Sequence, residues 1–179
     1  MKARFLIVLI VATALFTSCK NDKTEEDKAA STDTKFKVVL SATVKKSDNF
    51  QLFYSEGKID EPFNEENSMW VDVKADSTKV QDIEFTLPDN VIPSYLRIDL
   101  GLNDKQKDII INNFKMSYNG KSFEARGPLF FNYFFPNSSI EVVDKTTGLI
   151  KPIKMPNGTY DPLFYSEDGL LLEIKKIVK

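Results

Sequence analysis

Arg97 and Asp99 form the sharpest chemical pair in this 179-residue chain. They lie in a run where Leu96, Ile98 and Leu100 alternate with Tyr95, Arg97 and Asp99, so they share one strand face and sit close together. A guanidinium there can offer its planar fork to a sugar hydroxyl or carboxylate, while Asp99 accepts from a hydroxyl. Alternatively, the two side chains fix each other at a sheet edge or beside Gly101. Trp70 is the only tryptophan. Its neighbours in the strand period, Asp72 and Lys74, are polar, which puts the indole on the polar face. An indole so placed can stack on the C–H face of a pyranose, or it can cover the rim of a core. The run Phe130-Phe131-Asn132-Tyr133-Phe134-Phe135-Pro136 is the most aromatic stretch. Alternation places Phe130 and Phe134 on one side and Phe131, Tyr133 and Phe135 on the other. This is either an element buried on both faces or a core strand carrying a ligand platform that includes Tyr133. Large aromatics usually fill interiors, which favours the former.

Other chemistry is excluded by composition. With no His there is no imidazole acid or base, no Ser-His-Asp or Cys-His pair, and no His-ligated metal. A single Cys rules out an intrachain disulfide and a Cys-rich zinc site. Adjacent acids (Asp60-Glu61, Glu65-Glu66, Glu167-Asp168) do not supply the opposed carboxylates of glycoside hydrolysis, which face each other across roughly 5–10 Å. Asp144, Asp161, Glu167 and Asp168 could gather as scattered Ca²⁺ ligands, but no EF-hand spacing is present and no metal site is expected. The seven Gly form no GxGxxG loop, so no cofactor is expected. A formal charge of −2 leaves no electrostatic footprint for nucleic acid. Catalysis is not expected.

The chain opens with Lys2 and Arg4, followed by an apolar run from Phe5 to Ala12 and on to Phe16. This is short for a membrane span, which takes about 20 apolar residues, and fits the h-region of a secretory signal. Phe16-Thr17-Ser18-Cys19 resembles the cleavage site of bacterial lipoproteins. That resemblance implies a signal peptide over residues 1–18 and a lipid on Cys19; the alternative is a plain signal peptide with an incidental Cys. Loss of Lys2 and Arg4 takes the formal charge from −2 to −4. Residues 20–35 contain no aromatic, Val, Ile or Leu, and are expected to form a disordered tether. Asp22, Glu25, Glu26 and Asp27 resemble the surface-export signal of lipoproteins in the Bacteroidota; otherwise they are simply a charged linker. Asp76-Ser77-Thr78 resembles the short O-glycosylation motif of envelope proteins in the same phylum. Asn137-Ser138-Ser139 and Asn157-Gly158-Thr159 read as turns.

From Phe36 the apolar period becomes two. Strands are expected around 36–45, 50–55, 69–74, 82–87 and 95–100. In the run from Ile109 to Tyr118 the apolar parity switches between Ile111 and Phe114, and Asn112-Asn113 marks a bulge there. Tyr118-Asn119-Gly120-Lys121 predicts a two-residue hairpin. The segment Gly169 to Val178 fits either a strand through Leu170, Leu172 and Ile174 or a helix through Leu170, Ile174 and Ile177; a final strand is preferred. Short strands with turns every 8–12 residues argue for a sandwich or barrel.

Phe50-Gln51-Leu52-Phe53-Tyr54, Phe63-Asn64-Glu65 with Ser68, Leu96-Arg97-Ile98-Asp99-Leu100-Gly101 and Tyr160-Asp161-Pro162 together resemble a Bacteroidota β-sandwich module. Such modules occur beside membrane-bound glycosyltransferases and in cell-surface lipoproteins. The resemblance covers most of residues 36–179 and implies a carbohydrate-binding-like fold. The expected fold is all-β, an antiparallel, jelly-roll-like β-sandwich over residues 36–179, behind residues 19–35 as lipidated Cys and tether. The expected function is a non-catalytic, lipid-anchored binding module of the cell envelope, placed on the outer membrane and, where the acidic cluster acts as an export signal, exposed at the surface, with Trp70, Arg97, Asp99 and Tyr133 as ligand-binding candidates. Its expected partners are the membrane, through Cys19, and a glycan. The alternative is a scaffold lipoprotein contacting another envelope protein.

Overall fold

The computed structural model describes residues 34–58 and 61–179. Cys19 and most of the expected tether lie outside the described residues. Eleven strands and one helix follow in order: β1 (Lys37–Val44), β2 (Asp48–Ser55), β3 (Ser68–Val73), β4 (Asp76–Thr86), β5 (Tyr95–Asp99), β6 (Ile109–Tyr118), β7 (Lys121–Arg126), β8 (Phe134–Pro136), β9 (Ile140–Asp144), β10 (Leu149–Pro152), β11 (Leu163–Ser166) and α1 (Asp168–Ile177). They form an antiparallel β-sandwich. One sheet runs β4-β1-β6-β10-β9, with β7 also paired to β6; the other runs β3-β2-β5-β11-β8. Among the described residues no helix is long and apolar enough to cross a membrane.

The core lies between the sheets and follows the period-two pattern. Val38, Leu40, Ala42 and Val44 of β1 face Phe50, Leu52 and Tyr54 of β2 and Leu96 and Ile98 of β5, all within one buried cluster. The parity switch in β6 is resolved by a bulge. Ser41 pairs with Asn113 while Ala42 pairs with Ile111, so Asn112 is the extra residue. Because of it, Ile109, Ile111, Phe114 and Met116 are all fully buried in the same core. The β6–β7 hairpin turns on Asn119 (φ 47°) and Gly120 (φ 76°), both left-handed as a type I′ turn requires.

Two expectations need correction. Gly169 to Val178 is not a strand: Asp168–Ile177 is helical. Leu170, Ile174 and Ile177 recur at helical spacing and are buried, whereas Leu172, which a strand would bury with Leu170, is exposed. Asp168 in the first turn and Lys175 and Lys176 in the last suit the helix dipole. The aromatic run is not one extended element either. Gly127–Asn132 forms a 3-10 turn with Pro128 near its start, and only Phe134–Pro136 is strand. Phe130 and Phe134 still meet in the core, their rings stacked at 4.7 Å.

Candidate functional site

The outer face of the β3-β2-β5-β11-β8 sheet gathers most of the polar and aromatic residues singled out by sequence. Across the strands, Trp70 pairs with Gln51, Gln51 with Asp99, and Asp99 with Leu163. The next row runs Ser68, Phe53, Arg97, Tyr165, Phe135. At strand spacings of about 4.8 Å, Trp70 and Asp99 stand about 10 Å apart in the backbone. Trp70 lies on one edge of this sheet and Phe135 on the other, 48% and 44% exposed.

Arg97 and Asp99 bind each other. Arg97 Nε donates to Asp99 Oδ1 at 2.7 Å and Nη2 to Oδ2 at 2.5 Å. The guanidinium also lies 4.0 Å from the centroid of the Phe53 ring. The fork is therefore spent inside the protein and is not free for a ligand carboxylate. Burial pushes the Asp99 carboxyl above its ordinary value despite Arg97, and the nearby Asp161 and Glu65 add to the push. The hydrogen bonds to Asp99 hold Arg97 still more firmly protonated. Among the described residues that act on Asp99, Arg97 is a cation and Asp161 and Glu65 are acids, so the surroundings of Asp99 are acidic.

A short segment crosses the same face. Asn64 caps a 3-10 turn at Glu65–Asn67, its Oδ1 accepting from Glu66 N–H. Glu65 accepts from Gln51 Nε2 at 3.0 Å, and Ser68 Oγ accepts from the same amide at 2.9 Å. Phe63 stacks on Tyr165 at 6.1 Å and meets Phe53 edge-on at 6.4 Å. This cover explains why Gln51 and Phe53, on the outward side of β2, are as buried as the core residues that alternate with them. The alternation along β2 identified its two faces, but the chain's return across the outer one is a tertiary feature.

Trp70, Arg97 and Asp99 thus share one face. Tyr133 does not join them. Its ring packs edge-on against Phe123 at 5.0 Å, close to Gly169 at the start of α1, and its carbonyl accepts from Glu167 N–H. Sequence reasoning missed Tyr165, Gln51 and Glu65 as members of the face, and grouped Phe135 with Phe131 and Tyr133 rather than with Trp70. Phe135 was visible as the outward neighbour of Phe134, and Phe63 and Glu65 as part of the quoted Phe63-Asn64-Glu65 motif.

Of the four scattered acids, Asp144 and Asp168 have separate partners. Asp144 accepts from Thr146 N–H and Thr147 Oγ1, which hold its carboxyl below the usual range. Asp168 accepts from Tyr95 Oη at 2.8 Å. Among the described residues no three acids, His or Cys come together to hold a metal ion. Asp76 accepts from Thr78 N–H, Thr78 Oγ1 and Lys79 N–H, so the Asp76-Ser77-Thr78 motif is a tight turn at the start of β4. No family model, curated protein or solved structure matches this chain.

Proposed function

We propose that this protein is a lipid-anchored, non-catalytic binding module of a bacterial envelope, and that the outer face of the β3-β2-β5-β11-β8 sheet binds a neutral glycan. The observation that carries the reading is Trp70: a half-exposed indole in register with Gln51 and Asp99 on a face that also bears Tyr165 and Phe135. Aromatic surfaces stack on sugar C–H groups. Asp99, Asp161 and Glu65 around a single arginine repel an acidic sugar, so a neutral one is the better match. Both oxygens of Asp99 accept from Arg97, and the Gln51 amide donates to Glu65 and Ser68, so these polar groups hold the face in shape and the exposed rings supply the contact with the sugar. The anchor rests on the Phe16-Thr17-Ser18-Cys19 resemblance, as does the envelope location.

A protein partner docked on the β4 edge is less well supported. Val44 pairs with Asp76 and Ala42 with Gln81, so residues 77–80 loop out of register with β1. Such a break, with Lys79 in it, is how sheet edges discourage strand addition. The test is a glycan array probed with the full chain. Binding to neutral oligosaccharides in preference to sialylated or uronic ones is expected; no binding, or binding to acidic glycans alone, overturns the reading.

A further inference from the structure

At the far end of this face from Trp70 is a slot of about 90 Å³ lined by Phe63, Tyr95, Phe135, Tyr165 and Ser166. A water needs about 10–15 Å³ of such space, so the slot holds a group larger than one water. Tyr165 lies 6.1 Å from Phe63 and 5.4 Å from Phe135, at interplanar angles of 29° and 30°. The three rings touch and are within about 30° of parallel, so together they offer a nearly flat aromatic surface on which a planar group lies more readily than a tetrahedral one. The lining offers little to water. Tyr95 Oη donates its hydrogen bond to Asp168 Oδ1, while Ser166 Oγ accepts from Leu96 N–H at 2.8 Å and has its own O–H left to donate. Waters with so few partners are readily displaced by an apolar group, with a gain in affinity.

We propose that the slot receives the acetamido group of an N-acetylated sugar, which is planar, ends in a methyl, and carries a carbonyl that accepts one proton. This inference rests on the sugar-binding reading above and adds the class of sugar. A bare hydroxyl entering the slot sheds its water for a mostly carbon lining, at a cost in free energy. Residues on β5, β11 and β8 line the slot, whereas Trp70 stands on β3. A ligand that reaches both is therefore an oligosaccharide laid across the strands.

The experiment is calorimetric titration of the full chain with three trimers of the same linkage, built from N-acetylglucosamine, glucose and glucosamine. The acetylated trimer is expected to bind roughly 4-fold tighter than the glucose trimer or better, the transfer value of one buried methyl. Phe135→Ala removes one wall of the slot and is expected to bring the two affinities together, the acetylated trimer losing more than the glucose trimer does. Phe135 is half exposed, so the fold tolerates this change; Phe135→Leu keeps the bulk without the ring and replaces it if the unfolding midpoint drops. Equal affinities in the unmodified protein overturn the slot but leave the sugar face standing. Binding of neither trimer overturns both. Tightest binding of the glucosamine trimer identifies a cation site instead, and a preference that survives both Phe135 variants puts the amide elsewhere; either result overturns the proposal.

Discussion

Trp70→Ala separates stacking from packing because the indole is half in water. A fully enclosed indole buries about 150–250 Å². At 48% exposure, roughly half of that is in contact with the protein. At about 25 cal/mol per Å², truncation forfeits about 2 kcal/mol, an upper bound because the unfolded chain is itself partly collapsed. For a domain of this size, that lowers the unfolding midpoint by about 4–8 °C and leaves a cooperative transition. Binding responds differently. Loss of an aromatic platform costs about 1–3 kcal/mol, by analogy with stacked bases, so a glycan identified on the array weakens by roughly 5- to 150-fold. Scanning calorimetry reads the first quantity and titration calorimetry the second. Since Trp70 is the only tryptophan, its fluorescence in the unmodified protein should also shift on saturation with the sugar. A midpoint loss of more than about 15 °C would mean that the indole is a core residue, well beyond the range that its contact area allows. Affinity unchanged within twofold, or a silent fluorescence titration, would remove Trp70 from the site.

Arg97→Ala leaves the Asp99 carboxylate shielded from water with Asp161 and Glu65 beside it, and should cost about 3 kcal/mol near neutral pH. The folded-state pKa of Asp99 lies above its unfolded value, so ionisation destabilises the fold, and stability falls as pH rises from about 4 through the raised value. Without Arg97 the folded-state value rises further, so the Arg97→Ala deficit should shrink as pH is lowered from that higher value to the one Asp99 has beside Arg97; urea midpoints showing a pH-independent deficit would refute the assignment. The Tyr160 hydroxyl is buried without a hydrogen-bond partner, and burial, with Asp48 and Asp104 nearby, raises its pKa. Tyr160→Phe should gain about 1 kcal/mol at neutral pH, and should reduce the loss of stability that begins in the unmodified protein above about pH 10, the unfolded value, to which the buried Tyr54 also contributes; a loss at neutral pH shows that the hydroxyl is satisfied. Cys19→Ala should leave the membrane fraction or accumulate as uncleaved precursor, and normal processing with normal partitioning refutes lipidation.

Much of the sandwich is written in the chain itself because a half-buried strand has period two. Phe36 to Val44, Phe50 to Tyr54 and Tyr95 to Leu100 declare their inward residues directly, and Asn119-Gly120 declares a turn that needs two positive φ angles. The parity break at Asn112 was equally legible, since a bulge is the simplest way to return Ile109, Ile111, Phe114 and Met116 to one core. The pairing of Arg97 with Asp99 and the exposure of Trp70 follow from the same arithmetic. Residues 169–178 were not decided locally: Leu170 and Ile174 satisfy periods of two and 3.6 alike, and only the docking of Ile177 against the core, with Leu172 left in water, selects the helix. Nor could sequence place Tyr133, because a 3-10 turn before Phe134 breaks the alternation that assigned its side. The aromatic slot is wholly tertiary. Phe63, Tyr95, Phe135 and Tyr165 are far apart in the chain, and meet only because β5, β11 and β8 are neighbours in the sheet and the segment bearing Phe63 folds back over it. Side-chain direction is a local property of the backbone, whereas which strands become neighbours depends on how the whole chain closes its core.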